Sequence, residues 1–197
     1  MSKRWDQARE RAAAFVGAIN SSARAAVDCE SVPELCRVPG TTSNDSCQWR
    51  VVPSREATWL PELEAKLPYR WPPTFRALVG SYLFPSFVCG PLQLFSVGVT
   101  DPLAECSELR IAVMRDRPLL GVLWNHGYLP FARPADGSYD PLCFDCGNAS
   151  RVAEPAVVRL DHEEILCRER IRIKQVLSPA FYLLLERMTE ELSAETY

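Results

Sequence analysis

Two short clusters hold the residue types that do chemistry. Cys143-x-x-Cys146, in LCFDCGN, has the spacing at which two thiolates share a tetrahedral metal. A structural zinc site needs four ligands, and no second C-x-x-C occurs. Cys167, His162 or the cysteines at 29, 36 and 47 would have to complete it from afar, and those three do not have a usual zinc spacing. A thioredoxin-type redox pair opens a helix after a strand, whereas this pair sits inside an apparent strand. Small packed thiols are the plainer reading.

Asp161-His162-Glu163-Glu164 is the second cluster. Asp161 suits a helix N-cap, with Glu164 three residues on at capping-box spacing. The same side chains could serve a metal-dependent hydrolase as ligands or as acid and base. That chemistry needs partners, and the only other histidine is His126. Serine-nucleophile, phosphate-loop and dinucleotide-binding patterns are absent from the sequence. The chain is therefore expected not to be an enzyme. A hydrolase using Asp161, His162 and Glu163 stands as the alternative.

Charge patterning is the stronger signal. Asp136 to Glu164 contains seven acids against Arg151 and Arg159, a balance of −5, and residues 165–174 then swing to +3. Runs of this kind are usually solvated surface and local salt bridges; the functional reading is an acidic face that meets a basic partner. The whole chain has 197 residues and a formal net charge of −3, which argues against general nucleic-acid binding. Its start lacks the apolar core of a signal peptide, and no stretch approaches the roughly 20 apolar residues that span a bilayer. A cytoplasmic location with mostly reduced thiols is expected.

The elements that must position these groups follow from periodicity. Trp5, Ala8, Ala12, Phe15 and Ile19 form an apolar stripe on a helix over residues 3–24. Residues 25–54 read as an irregular, partly disordered connection, so residues 1–54 are set apart from a domain over 55–197. Thr58 suits the cap of a helix running to about Lys66, and Pro72-Pro73 suits the start of another. Two short strands follow, broken at Gly90-Pro91, and then a helical stretch over 102–126 in two pieces. Asp116 caps the second piece and Gly127 ends it. GYLPFARPADGSYDPLCFD reads as a β-hairpin, with Tyr128–Arg133 going out, a reversal at Ala135–Ser138, and Tyr139–Asp145 returning. Leu142 and Phe144 share one face, Cys143 and Asp145 the other. A strand over 155–160, a partly alternating stretch over 165–176 and a final helix from Ser178 complete an α+β fold, with several helices on one antiparallel sheet and an extra N-terminal helix.

The ordered set LPYRWPPTFRALVGSYL, GPLQLFS, GYLPFARPADGSYDPLCFD, AVVRLDHEEI and SPAFYLLLERM resembles the SUKH superfamily, which comprises bacterial toxin-immunity proteins and fungal cell-wall-synthesis regulators. The match covers about residues 55–190; residues 1–54 and the helical stretch at 102–126 depart from it. The resemblance implies an α+β fold with a curved antiparallel sheet. It implies a protein-binding module, often one that blocks a toxin such as a nuclease, with no cofactor and no catalytic residues. On this reading Asp136, Tyr139, Asp140, Asp161 and Glu163 face the partner protein, with no role for nucleic acid or membrane. A scaffold that forms homo-oligomers through its N-terminal helix is a further alternative.

Overall fold

The computed structural model describes residues 3–22, 27–54, 59–97, 108–148 and 154–194. Its centre is a six-stranded antiparallel sheet ordered β10-β9-β8-β7-β6-β5. These strands are β5 (Phe87–Cys89), β6 (Leu92–Leu94), β7 (Tyr128–Pro134), β8 (Leu142–Asp145), β9 (Val157–Leu160) and β10 (Ile173–Ser178). Four shorter strands pair in two small sheets: β1 (Val27–Asp28) with β2 (Ser46–Cys47), and β3 (Val52–Pro53) with β4 (Tyr82–Leu83). The helices are α1 (Lys3–Ser21), α2 (Trp59–Glu64), α3 (Pro73–Ser81), α4 (Glu108–Met114), α5 (Arg117–Asn125), α6 (His162–Arg168) and α7 (Phe181–Ala194). The α+β class expected from sequence is the class observed.

Helices cover the sheet on both faces. Leu142 and Phe144 pack with α1, α3 and α7, while Cys143, Val158 and Leu160 pack with Leu123 of α5 and Ile165 of α6. The two-residue period of β8 therefore sorts its side chains between two apolar layers. Four phenylalanines form the centre of the larger core. Phe75 of α3 lies 5.4, 5.3 and 5.6 Å, ring centre to ring centre, from Phe131, Phe144 and Phe181. Phe131 stacks on Phe144 at 4.1 Å, and Phe181 meets both edge-on.

The apolar stripe of α1 is used inside the chain: Ala8, Ala12, Phe15 and Ile19 are buried in this core. Residues 27–54 are mostly irregular, as expected, with the β1–β2 pair, β3 and two single 3-10 turns; Cys36, Cys47 and Val51 nevertheless sit in the same core as the sheet, which was not expected of a connecting segment. Proline and small polar residues hide this in the sequence, because the order comes from long-range burial. The suggested Thr58 cap lies outside the described residues.

Glu154 joins two helices. It is buried, and its two carboxylate oxygens accept from Thr74 N in α3 at 2.8 Å and Tyr182 N in α7 at 3.0 Å. Pro72 offers α3 no side-chain cap, so an acid 80 residues away satisfies that N-terminus and its partial positive charge. Glu154→Gln leaves an amide group facing one of these N–H donors. It is expected to lower stability by about 2 kcal/mol, read by urea denaturation; a change under about 0.5 kcal/mol would contradict the bridging role.

Candidate functional site

The site grows from the end of the hairpin. Gly137, at φ +76, makes the reversal, and Ser138 N donates to Asp136 Oδ1 at 3.0 Å. The return strand starts at Leu142, later than the expected Tyr139. Pro141 has no N–H for a ladder, and Asp140 turns inward, so Tyr139–Pro141 forms an arm outside the sheet.

Asp140 is 1% exposed and gathers three basic side chains. Arg159 Nε of β9 donates to its Oδ2 at 2.7 Å, and His162 Nδ1 of α6 lies 2.9 Å from Oδ1. Lys174 Nζ of β10 donates to both oxygens at 3.1 Å, and His162 N donates to Oδ1 at 3.2 Å. Arg159 also reaches Asp136 Oδ2 at 2.8 Å and Ser138 Oγ at 2.9 Å, which ties the turn to the sheet. Burial alone would raise the Asp140 carboxyl; the bonds from His162, Arg159 and Lys174 outweigh it and hold the group well below the usual carboxylate range.

Asp161 caps α6, accepting from Glu163 N at 3.1 Å and Glu164 N at 3.3 Å. The capping-box reading is half right: the Asp161 N–H donates to Arg172 O, and Glu164 pairs with Arg168. Burial would raise the Asp161 carboxyl, but those backbone bonds and the Lys174 charge leave it lowered. In Asp136 the Ser138 backbone bond and then Arg159 also lower it.

The expected partner face therefore divides. Asp140 and Asp161 are buried, which corrects their assignment as outward carboxylates, while Tyr139, Asp136 and Glu163 are exposed. Of the seven acids from 136 to 164, Asp140, Asp145, Glu154 and Asp161 are inside the fold. Asp145 holds the turn at Asn148 through its carboxylate. Local salt bridges, the plain reading of the charge run, account for most of it. The counter-charges Arg159 and Lys174 were missed as site residues. The acidic run followed by the basic one was their signal, and the β9–β10 pairing turns that succession into contact.

Asp140, Asp161 and His162 present ligand atoms within 4.8 Å of one another. The Lys174 ammonium already lies between the two carboxylates, 3.1 Å from Asp140 and 3.6 Å from Asp161 Oδ2. A metal ion there would have to displace a cation that the fold itself supplies. Among the described residues neither Cys143 nor Cys146 joins a group of three or more metal-ligating side chains; Cys143 packs with the α5–α6 layer and Cys146 against the opposite core. Burial raises the Cys143 thiol and, with the Asp145 charge, takes Cys146 up to about 12.

Beside this network lies an open cavity of about 520 Å³. Ile111 of α4, Leu119 of α5, Pro130 and Ala132 of β7, and Leu166 of α6 line it, and Tyr139 and His162 border it. Pro130 fits an interior strand because the β7–β8 register breaks between Pro130 and Ala132, a bulge beside the cavity. Gly127, at φ +86, lets β7 start directly after α5; a Cβ there would lie 2.5 Å from Gly147 Cα, so a side chain is excluded.

No helix among the described residues is long and apolar enough to cross a membrane. No family model, curated protein or solved structure matches the chain.

Proposed function

We propose that the chain is a non-catalytic protein-binding module of the immunity or regulatory kind that the SUKH resemblance implies, and that it docks through the surface centred on Tyr139. One observation carries this reading: Tyr139 is 77% exposed, on an arm that the adjacent Asp140 network fixes. A large aromatic on a pre-ordered loop is a frequent binding hot spot, because little freedom is lost on docking. Leu166, 52% exposed, adds apolar area, and Asp136 and Glu163 stand as acids at the rim.

The charge mechanism changes with the geometry. Two rim acids steer a basic partner and speed its approach; they do not fill a nuclease cleft with buried-type carboxylates. Glu163 is the cleaner charge to reverse, because Asp136 is paired to Arg159. Against the hydrolase alternative stands the pairing of Asp140 with Arg159 and Lys174, which a metal ion would have to displace.

The test is calorimetric titration of the chain with the product of the adjacent gene, a toxin on this reading. Sub-micromolar binding is expected, with Tyr139→Ala weakening it about tenfold or more. Absence of binding, or equal affinity in the variant, would overturn the assignment of this surface.

A further inference from the structure

We propose that Cys29 and Cys47 are a modification site: a thiol pair that a peroxide converts to a reversible disulfide, joining the two ends of the segment 29–47. The β1–β2 register brings the two together. Val27 stands opposite Cys47 and Asp28 opposite Ser46, and Cys29 N carries the pairing one bond further, donating to Asp45 O at 2.8 Å. Positions 27 and 29 share one face of the strand, so Cys29 lies diagonally across from Cys47 on the same side. Val27, Cys29 and Cys47 all pack against the core, and the Cys47 S–H donates to the Cys29 sulfur. A disulfide needs the sulfurs about 2 Å apart, so the pair must close from hydrogen-bond contact. That movement falls on Cys29, where the chain leaves β1 for the 3-10 turn Cys29–Ser31.

The surroundings divide the roles. Cys47 is buried and Cys29 only half-buried, so a dissolved peroxide reaches Cys29 first. Burial raises the Cys47 thiol, and the hydrogen bond to Cys29 raises it further, so Cys47 keeps its proton and holds it toward the Cys29 sulfur. Arg37 supplies positive charge. Its Nη2 donates to Cys29 O at 2.7 Å and its Nε to Val32 O at 3.0 Å, which fixes the guanidinium beside the pair. Asp28 acts in the opposite sense, with the smaller effect. A neighbouring cation favours the thiolate that attacks. Cys36, the third cysteine of the segment, is buried and donates its S–H to Leu83 O at 3.4 Å. In the first step the Cys29 thiolate attacks one peroxide oxygen: an S–O bond forms, the O–O bond breaks, and the hydroxide that leaves takes up the thiol proton as water. Cys47 then gives up its proton and attacks the sulfur of the Cys29 sulfenic acid: the S–S bond forms, the S–O bond breaks, and a second water leaves. The two sulfurs lose two electrons and the peroxide gains them.

This site stands independently of the protein-binding reading, since the oxidation needs no partner protein. The test treats the full chain with hydrogen peroxide, blocks the remaining thiols with iodoacetamide under denaturing conditions, and maps the tryptic peptides by mass spectrometry. Trypsin cuts at Arg24, Arg37 and Arg50, so the bond joins the peptides 25–37 and 38–50, and fragmentation separates Cys29 from Cys36. The expected result is this linked pair in most chains, with Cys36 still alkylated and the link lost again in dithiothreitol. The exposed Cys167 gauges the peroxide dose. Cys47→Ser, which removes the second thiol, should leave Cys29 as a sulfenic acid, with about tenfold more dimedone adduct there than in the unaltered chain. The peptide map of the unaltered chain decides the matter even if that variant fails to fold. Cys29 and Cys47 both alkylated at a dose that oxidises Cys167, a bond from either of them to Cys36 or Cys167, or equal dimedone adduct on Cys29 in the two proteins would each overturn the site.

Discussion

Asp140→Ala is expected to destabilise the protein by about 3 kcal/mol, measured by urea denaturation at neutral pH. The carboxylate is 1% exposed and is the shared acceptor of Arg159, His162 and Lys174. Removing it takes the shared acceptor from all three and leaves Arg159 with Asp136 alone and Lys174 with Asp161. The expected cost stays at the low end for a broken buried pair, because the Arg159 and Lys174 side chains keep 23% and 37% of their exposure and can rehydrate in part. A loss below about 1 kcal/mol would show that the network is ordinary surface pairing. The pH dependence has a definite sign. A carboxyl held below its ordinary value in the folded state adds stability above about pH 4, the unfolded value, and that stability is lost as pH falls further. The unaltered protein should therefore lose stability below about pH 4 more steeply than Asp140→Ala. Asp136 and Asp161 are lowered too and remain in both proteins; because they share Arg159 and Lys174 with Asp140, they retain part of the acid dependence in the variant.

Phe75→Ala should cost more, about 4 kcal/mol by the same measurement. Phe75 is 1% exposed and meets Phe131, Phe144, Phe181 and Trp71. The removed ring leaves a hole between a helix and two central strands, and the stacked Phe131–Phe144 pair cannot move to fill it without breaking its own contact. A cost below about 2 kcal/mol would mean that the cluster collapses onto the space. Phe75→Leu, which keeps part of the volume, should recover roughly half the loss.

The fold was largely legible because its signals are local. The break at Gly90-Pro91, the Asp116 cap, the Gly127 stop and the Asp136-Gly137 reversal all stand where short-range chemistry puts them. The order within residues 27–54 was not legible, since Cys36 and Cys47 are held there by burial against distant elements. The site was half legible. Tyr139 and Asp136 are exposed as expected, and the sequence shows a surplus of acid from 136 to 164. Which acids turn inward depends on register: β9 against β10 brings Lys174 and Arg159 to Asp140, and Glu154 reaches Thr74 across the molecule. No spacing rule encodes those distances.

Asp140 is held ionised inside the fold by Arg159, His162 and Lys174, and this network fixes the arm that carries Tyr139. A carbon-detected NMR titration of the Asp140 carboxyl tests it most directly. The expected result is a group still ionised at about pH 3, titrating only as the protein unfolds. A reversible midpoint at or above about 3.9, the ordinary aspartate value, would contradict it.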